Sequence, residues 1–113
     1  MKKEHRVKSQ IDFQRVFESG RKYVGKHFIL YVLERDHDTY RFGVSVGKKL
    51  GNAVFRNKNK RQMREIIYAF NSEYRTSFDC VIILKKSGVG LEFSKKKQSL
   101  YKTLSDSNII KGV

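Results

Sequence analysis

Two stretches of the chain, Phe28-Ile29-Leu30-Tyr31-Val32-Leu33 and Cys80-Val81-Ile82-Ile83-Leu84, carry an apolar or aromatic side chain at every position. A strand of this kind needs cover on both faces, so it belongs inside a sheet and not on a solvated hairpin surface. With 113 residues, the chain suits one domain, residues 1–113, with one core that buries roughly two-thirds of the unfolded surface. The cover has to come from helices within that domain.

Three segments can supply it. Residues 9–19 read as a short helix: Ser9 followed by Asp12 fits a capping box with Asp in place of Glu or Gln. Phe13, Val16 and Phe17 share one face, and Gly20 is a natural stop. Residues 53–71 form the strongest helix, with Asn52 as N-cap. Val54, Met63, Ile66, Ile67 and Phe70 fall within an arc of about 120° at helical spacing. Residues 93–105 form a last helix whose inner face is Phe93, Leu100, Tyr101 and Leu104. Between the first two helices, Arg41 to Val46 alternates: Phe42, Val44 and Val46 point one way, Arg41, Gly43 and Ser45 the other. The polar turn Glu34-Arg35-Asp36-His37-Asp38 suggests a hairpin between this strand and Phe28–Leu33. With a short extra strand near Tyr23, the order is α-β-β-β-α-β-α, an α+β fold of the two-layer α/β sandwich type. Gly43 and Ser45 leave small groups on one strand face, an open floor that admits either a ligand backbone or a covering loop.

Charge narrows the function. Lys and Arg total 25 against 11 Asp and Glu, a net charge of +14. Such an excess points to nucleic acid, an anionic membrane or an acidic protein, and away from cation-binding and small-molecule chemistry. No apolar run approaches the roughly 20 residues of a membrane helix. The basic start, Met1 to Arg6, is not followed by an apolar signal region, so a cytoplasmic protein is expected. A single cysteine, Cys80, excludes an intrachain disulfide and a cysteine-based zinc site; inside an apolar strand it reads as a core residue.

The arrangement of the charge decides among the partners. Thr39 to Arg64 contains Arg41, Lys48, Lys49, Arg56, Lys58, Lys60, Arg61 and Arg64 and no acid. A solvated helix face usually interleaves Glu with Lys, because each i,i+4 pair contributes about 0.2–0.5 kcal/mol. Here the cations repel one another without compensation, and an external polyanion is the simpler explanation. Arg56, Lys60 and Arg64 form one stripe at i, i+4, i+8, and Asn57 and Arg61 form the next. This band lies beside the apolar arc and can run along a phosphate backbone, with Asn57 able to meet a base edge or a sugar hydroxyl. A membrane is a poorer partner, because the apolar face of this helix is needed by the core.

Phe13 and Phe17, one turn apart, and Tyr31 on a strand are rings of the kind on which single-stranded RNA stacks; for an isolated Phe pair core packing is the better account, and only the company of the basic band raises the RNA reading. Protein-borne catalysis finds little support. His5, His27 and His37 show no metal-ligand spacing, the acids are scattered, and no Ser-His-Asp arrangement can be argued from order.

The stretch Phe42-Gly43-Val44-Ser45-Val46-Gly47-Lys48-Lys49-Leu50-Gly51-Asn52-Ala53-Val54-Phe55-Arg56-Asn57-Lys58-Asn59-Lys60-Arg61 resembles the signature of the bacterial ribonuclease P protein subunit, with its G-x-S-V-x-K-K-x-G-x-A-V-x-R-N-R core. Asp12-Phe13-Gln14-Arg15-Val16-Phe17-x-x-Gly20 and the strands Phe28–Tyr31 and Asp79–Lys85 also look like that family, so the resemblance covers nearly the whole chain. It implies a protein that assists the endonucleolytic removal of the 5′ leader from precursor tRNA, while a large RNA with bound magnesium does the cutting and the protein by itself holds no metal. It implies a leader cleft of Phe13, Phe17, Tyr31, Ser45, Lys48 and Lys49. It implies contacts to the catalytic RNA from Arg56, Asn57, Lys58, Lys60, Arg61 and Arg64. It also implies a left-handed crossover between parallel strands around the basic helix, a connection that general handedness rules disfavour. No membrane or DNA partner is expected, and no catalytic side chain.

Three positions depart from the family pattern. Lys58 replaces the second Arg of the Arg-Asn-Arg run, which keeps charge but loses planar bidentate pairing with phosphate. Asn59 stands where an apolar residue is usual, near the middle of the apolar arc, and a buried Asn there needs a partner. Ser87 stands where Pro often follows the strand. Two competing readings are a ribosomal or assembly protein, which needs no single-strand cleft, and a stand-alone nuclease, which would cut RNA without an RNA partner.

Overall fold

The computed structural model describes residues 3–111. Helix α1 spans Gln10–Ser19, strand β1 Arg21–Val24, β2 Phe28–Glu34, β3 Tyr40–Ser45, helix α2 Ala53–Ala69, β4 Phe78–Leu84 and helix α3 Phe93–Asp106, with single 3-10 turns at Lys3–His5, Lys48–Leu50 and Lys86–Gly88. The element order is that expected from the sequence, including the short strand at Tyr23. No helix among these residues is long and apolar enough to cross a membrane.

The four strands form one sheet in the order β1-β2-β4-β3. β1 and β2 pair antiparallel, as do β2 and β4, while β3 and β4 are parallel. The expected hairpin between β2 and β3 is therefore wrong: β4 lies between them. The two strands that are apolar on both faces take the two central places, where both faces are covered. β3, small and polar on one face, takes an edge. Its outer side is partly paired by the N-terminal segment, with the Val7 N–H donating to Phe42 O at 3.0 Å. β3 reaches its parallel neighbour through α2, since parallel strands need a long crossover.

One face of the sheet carries the core. Phe28, Leu30 and Val32 of β2 meet Phe42 and Val44 of β3 and Phe78, Cys80, Ile82 and Leu84 of β4. Met63, Ile66 and Ile67 of α2 and Leu100 and Leu104 of α3 pack on them. Full burial of each such side chain contributes about 1.5–3 kcal/mol. Tyr74 joins this cluster, its hydroxyl donating to Ile67 O at 2.7 Å. Two expected core residues are outside it. Val54 is 79 % exposed and Phe93 37 % exposed. Both lie in the first turns of their helices.

Asn59 is buried and has its partners. Its amide donates to Phe55 O at 3.0 Å, and its oxygen accepts from Lys96 Nζ of α3 at 2.8 Å. The same ammonium donates to Gln62 Oε1 at 2.9 Å. A lysine buried to 6 % exposure thus ties α3 to α2. Burial, and then the charge of Lys58, lowers its pKa. Ser87, where the family often has Pro, donates to Lys26 O at 2.9 Å and so fastens the turn after β4 to the β1–β2 connection.

Candidate nucleic-acid interface

The reverse face of the sheet is only partly covered, by α1. The Ser9 side chain caps this helix by accepting from the Asp12 N–H at 3.0 Å, and Val16 is fully buried beneath it. The helix crosses the sheet from β3 toward β2: Asp12 stands over Arg41, Phe13 over Gly43, and Phe17 against Tyr31. A Cβ on Gly43 would lie 2.6 Å from Phe13 Cζ. The missing side chain is therefore the space the ring occupies, and Gly43 is buried. The open floor expected at Gly43 is closed by the protein's own Phe13.

The floor is open one row further on. Ser45, Ile83, Ile29 and Val24 are register partners straight across the sheet. The first three are half-buried and Val24 is exposed. Beside this row stand Phe17 and Tyr31, edge to ring at 5.2 Å between centroids. Phe17 is 38 % exposed. Lys22 Nζ lies 5.9 Å from the Tyr31 ring centre. Lys48 and Lys49, both exposed, sit on the turn that follows Ser45. This partly open row, bordered by the Phe17–Tyr31 pair, with Lys22 beside Tyr31 and Lys48 and Lys49 following Ser45 in the chain, is the candidate groove. Phe13 contributes from beneath α1, packed on Gly43, while Phe17, Tyr31 and Ser45 present surface to the groove. Lys22, Ile29 and Ile83 were not singled out in the sequence. Only strand register places Ile29 and Ile83 in this row and Lys22 beside Tyr31 in the next.

The basic band lies on α2. Asn52 caps it, accepting from the Phe55 N–H at 2.9 Å. Asn57, Lys58 and Arg61 are exposed, and Arg56, Lys60 and Arg64 are half-buried along the flank. Among the described residues none of these five cations, nor Lys48 or Lys49, forms an ion pair. Arg56 Nε is buried without a hydrogen-bond partner there. Burial, then the neighbouring charge of Arg6, lowers the pKa of Arg64.

Arg41 is the exception in the acid-free stretch. Its Nε and Nη2 donate to the two carboxylate oxygens of Asp79, both at 2.7 Å, and Asp12 is 3.7 Å away. Arg35 and His37 also reach Asp79, at 3.1 and 3.2 Å. Burial alone would raise the Asp79 pKa. The hydrogen bonds and charge of Arg41, aided by His37 and Arg35, outweigh burial and hold it below the ordinary carboxylate value. Arg41 is thus a structural cation and leaves the interface set. The acid that pairs it lies 38 positions away in sequence.

The groove side and the band side meet at the edge of β3. A cavity of about 360 Å³ there is lined by Phe13, Gly43, Lys60 and Arg64 together with Arg6 and Lys8. Arg6 and Lys8 were missed in the sequence, where the N-terminus is visible only as basic. What places them is the pairing of this segment along β3. Among the described residues no group of three His, Cys, Asp or Glu side chains stands close enough to hold a metal ion. Cys80 is fully buried, and burial pushes its thiol pKa up, as befits a core side chain.

Comparison with known proteins gives one answer. The family model described as Ribonuclease P matches residues 1–107. The ribonuclease P protein component of Streptococcus pyogenes serotype M5 (strain Manfredo) is 39 % identical over 110 residues, covering 97 % of this chain and 92 % of the relative. Among solved structures, the Staphylococcus aureus RNase P protein superposes with a TM-score of 0.87 at 32 % identity, covering 94 % of this chain and 97 % of that one. The Thermotoga maritima RNase P protein superposes with a TM-score of 0.82 at 28 % identity, covering 89 % and 96 %.

Proposed function

The chain belongs to the ribonuclease P protein family, whose enzyme is a ribonuclease of tRNA processing, and from that premise we propose that it binds the catalytic RNA of the enzyme through α2 and the 5′ leader of precursor tRNA in the groove beside α1. Arg56, Asn57, Lys58, Lys60, Arg61 and Arg64 follow the RNA backbone. Each phosphate they neutralise releases counterions, which makes the association strong at low salt and steeply salt-dependent. Phe17 and Tyr31 stack unpaired leader bases, Phe13 holds the wall in place, and Ser45, Lys48 and Lys49 take the leader backbone. The protein brings charge and shape and no catalytic side chain. Among the described residues no cluster of His, Cys, Asp or Glu offers a metal site, and in this reading magnesium belongs to the RNA partner.

One observation carries the proposal: a helix band of cations that form no ion pair among the described residues shares a cavity at the edge of β3 with Phe13 of α1, the helix that also sets Phe17 against Tyr31 beside the partly open row of the sheet. A purely structural RNA binder has no use for the groove.

The test is to incubate precursor tRNA and magnesium with the protein alone, with the catalytic RNA alone, and with both. We expect no cleavage by the protein alone, and faster cleavage at low magnesium when it joins the RNA. Cleavage by the protein alone would make it the nuclease. An RNA whose activity at low magnesium is indifferent to the protein would favour the structural binder.

A further inference from the structure

The half-buried row on α2 does not end at Arg64. Arg56, Lys60 and Arg64 are followed one turn later by Tyr68, whose ring is 50 % exposed. It differs in this from Tyr74, which is buried in the core with its hydroxyl satisfied. Arg6 is brought beside this end of the helix by the bridge between its backbone and Phe42 on the edge of β3. Arg6, Arg61, Arg64, Glu65 and Tyr68 together line a cavity of about 360 Å³.

Three features of this cavity call for an occupant. Arg6 and Arg64 are held near one another, and neither pairs with a carboxylate among the described residues. Their mutual repulsion shows in the lowered pKa of Arg64, to which Arg6 contributes after burial. Arg6 Nε is buried and has no hydrogen-bond partner among those residues. A half-exposed aromatic ring, Tyr68, stands in the same wall. Guanidiniums are suited to bidentate contact with phosphate oxygens, and a ring beside them suits a base face. One acid, Glu65, is in the lining, so the cavity suits a single phosphodiester better than a long stretch of backbone.

We propose that Arg6, Arg64 and Tyr68 form a seat for one unpaired RNA nucleotide, the two guanidiniums taking its phosphate and the Tyr68 ring stacking on its base. The seat rests on the reading of α2 as the face toward the catalytic RNA and adds a specificity to it. At this end of the helix the protein selects a looped-out or single-stranded nucleotide, since a paired base keeps its faces inside the duplex. Tyr68 thereby becomes a determinant of where on a folded RNA the helix docks, and Arg6 extends the contact set to the N-terminal segment.

The test uses the full chain and three labelled probes: the catalytic RNA, a short oligoadenylate and a blunt RNA duplex. Binding of wild type, Tyr68→Ala, Tyr68→Phe and Arg6→Ala is measured over a series of salt concentrations. We expect Tyr68→Ala to lose about fivefold to a hundredfold in affinity for the catalytic RNA and the oligoadenylate. Its salt slope should not change, its duplex binding should be intact, and Tyr68→Phe should restore most of the loss. Arg6→Ala should reduce the salt slope by about one unit. Affinity of Tyr68→Ala equal to wild type, or a loss as large on the duplex as on the single strand, would overturn the seat while leaving the α2 reading standing. A wild-type chain that fails to bind the catalytic RNA would instead overturn the α2 reading, and the seat with it.

Discussion

Phe17 and Gly43 show how differently two residues of one face can serve. Phe17 keeps its edge on Tyr31 and much of its surface in solvent, so its removal should be felt by a ligand more than by the core. Phe17→Ala is expected to weaken binding of leader-bearing precursor tRNA by about 1–3 kcal/mol, with binding of leaderless tRNA unchanged. Equal losses on the two substrates would assign the ring to packing. Gly43→Ala acts from below. The new methyl group meets the Phe13 ring at 2.6 Å and Val7 Cβ at 3.3 Å, so the ring has to tilt outward. Overpacking of this kind costs about 1–3 kcal/mol of stability. A urea titration should show that loss together with weaker leader binding. On α2, Arg64→Ala should lower the salt slope of catalytic-RNA binding by about one unit; an unchanged slope would remove Arg64 from the contacts. The identities of Phe17, Tyr31 and Arg64 as interface candidates were legible in the sequence. That Arg41 is not one of them was not, because the acid that neutralises it comes from another strand.

Among the elements, α2 has the most to reconcile: one side feeds the core while the neighbouring side carries cations that repel each other. Its seam with α3 is pinned by the contact of Asn59 and Gln62 with Lys96. Lys96→Met leaves the Asn59 oxygen buried without its donor and is expected to cost about 1–3 kcal/mol. Asn59→Leu removes a main acceptor of a buried ammonium and should cost more, because an uncompensated buried charge is the worse defect. The double variant Asn59→Leu with Lys96→Met should recover most of the loss, since an apolar pair of similar size often replaces a buried polar contact without penalty. Urea unfolding of the four proteins closes this cycle, and additive losses would show that the contact is not a coupled unit. Helical spacing places Asn59 on the buried arc. Its partner, 37 positions away, is visible only once α3 is seated.

For the whole molecule, the strand order β1-β2-β4-β3 brings Asp79 of β4 beside Arg41 of β3, with Arg35 and His37 arriving from the loop before β3. This cluster ties the ends of three segments together under the start of α1. The Asp79 pKa is lower in the folded chain than the ordinary 3.8. Its contribution to stability is thus fully present above that value and is lost as pH falls through the folded pKa. Urea unfolding from neutral to acid pH should show stability falling below about pH 4, and the fall should be smaller in Asp79→Asn. That variant should start from a lower stability, by about 3–5 kcal/mol, because it strands Arg41. An identical acid profile in the two proteins would remove Asp79 as a source of the pH dependence.

Local periodicity and capping chemistry were sufficient to place the three helices and the three longer strands, because each depends on side chains a few residues apart; the short strand at Tyr23 had no such pattern behind it. Along α2 the spacing of Arg56, Lys60 and Arg64 already defined a basic band, since a helix converts sequence interval into angle. Strand order was beyond such reasoning: a turn-like stretch between two strands says nothing about a third strand inserted between them. The filling of the Gly43 floor by Phe13, the open row from Ser45 to Val24, the neutralisation of Arg41 and the arrival of Arg6 beside Arg64 and Tyr68 all followed from that order. Each depends on contacts between residues far apart in the chain, and those distances are set only when the sheet assembles.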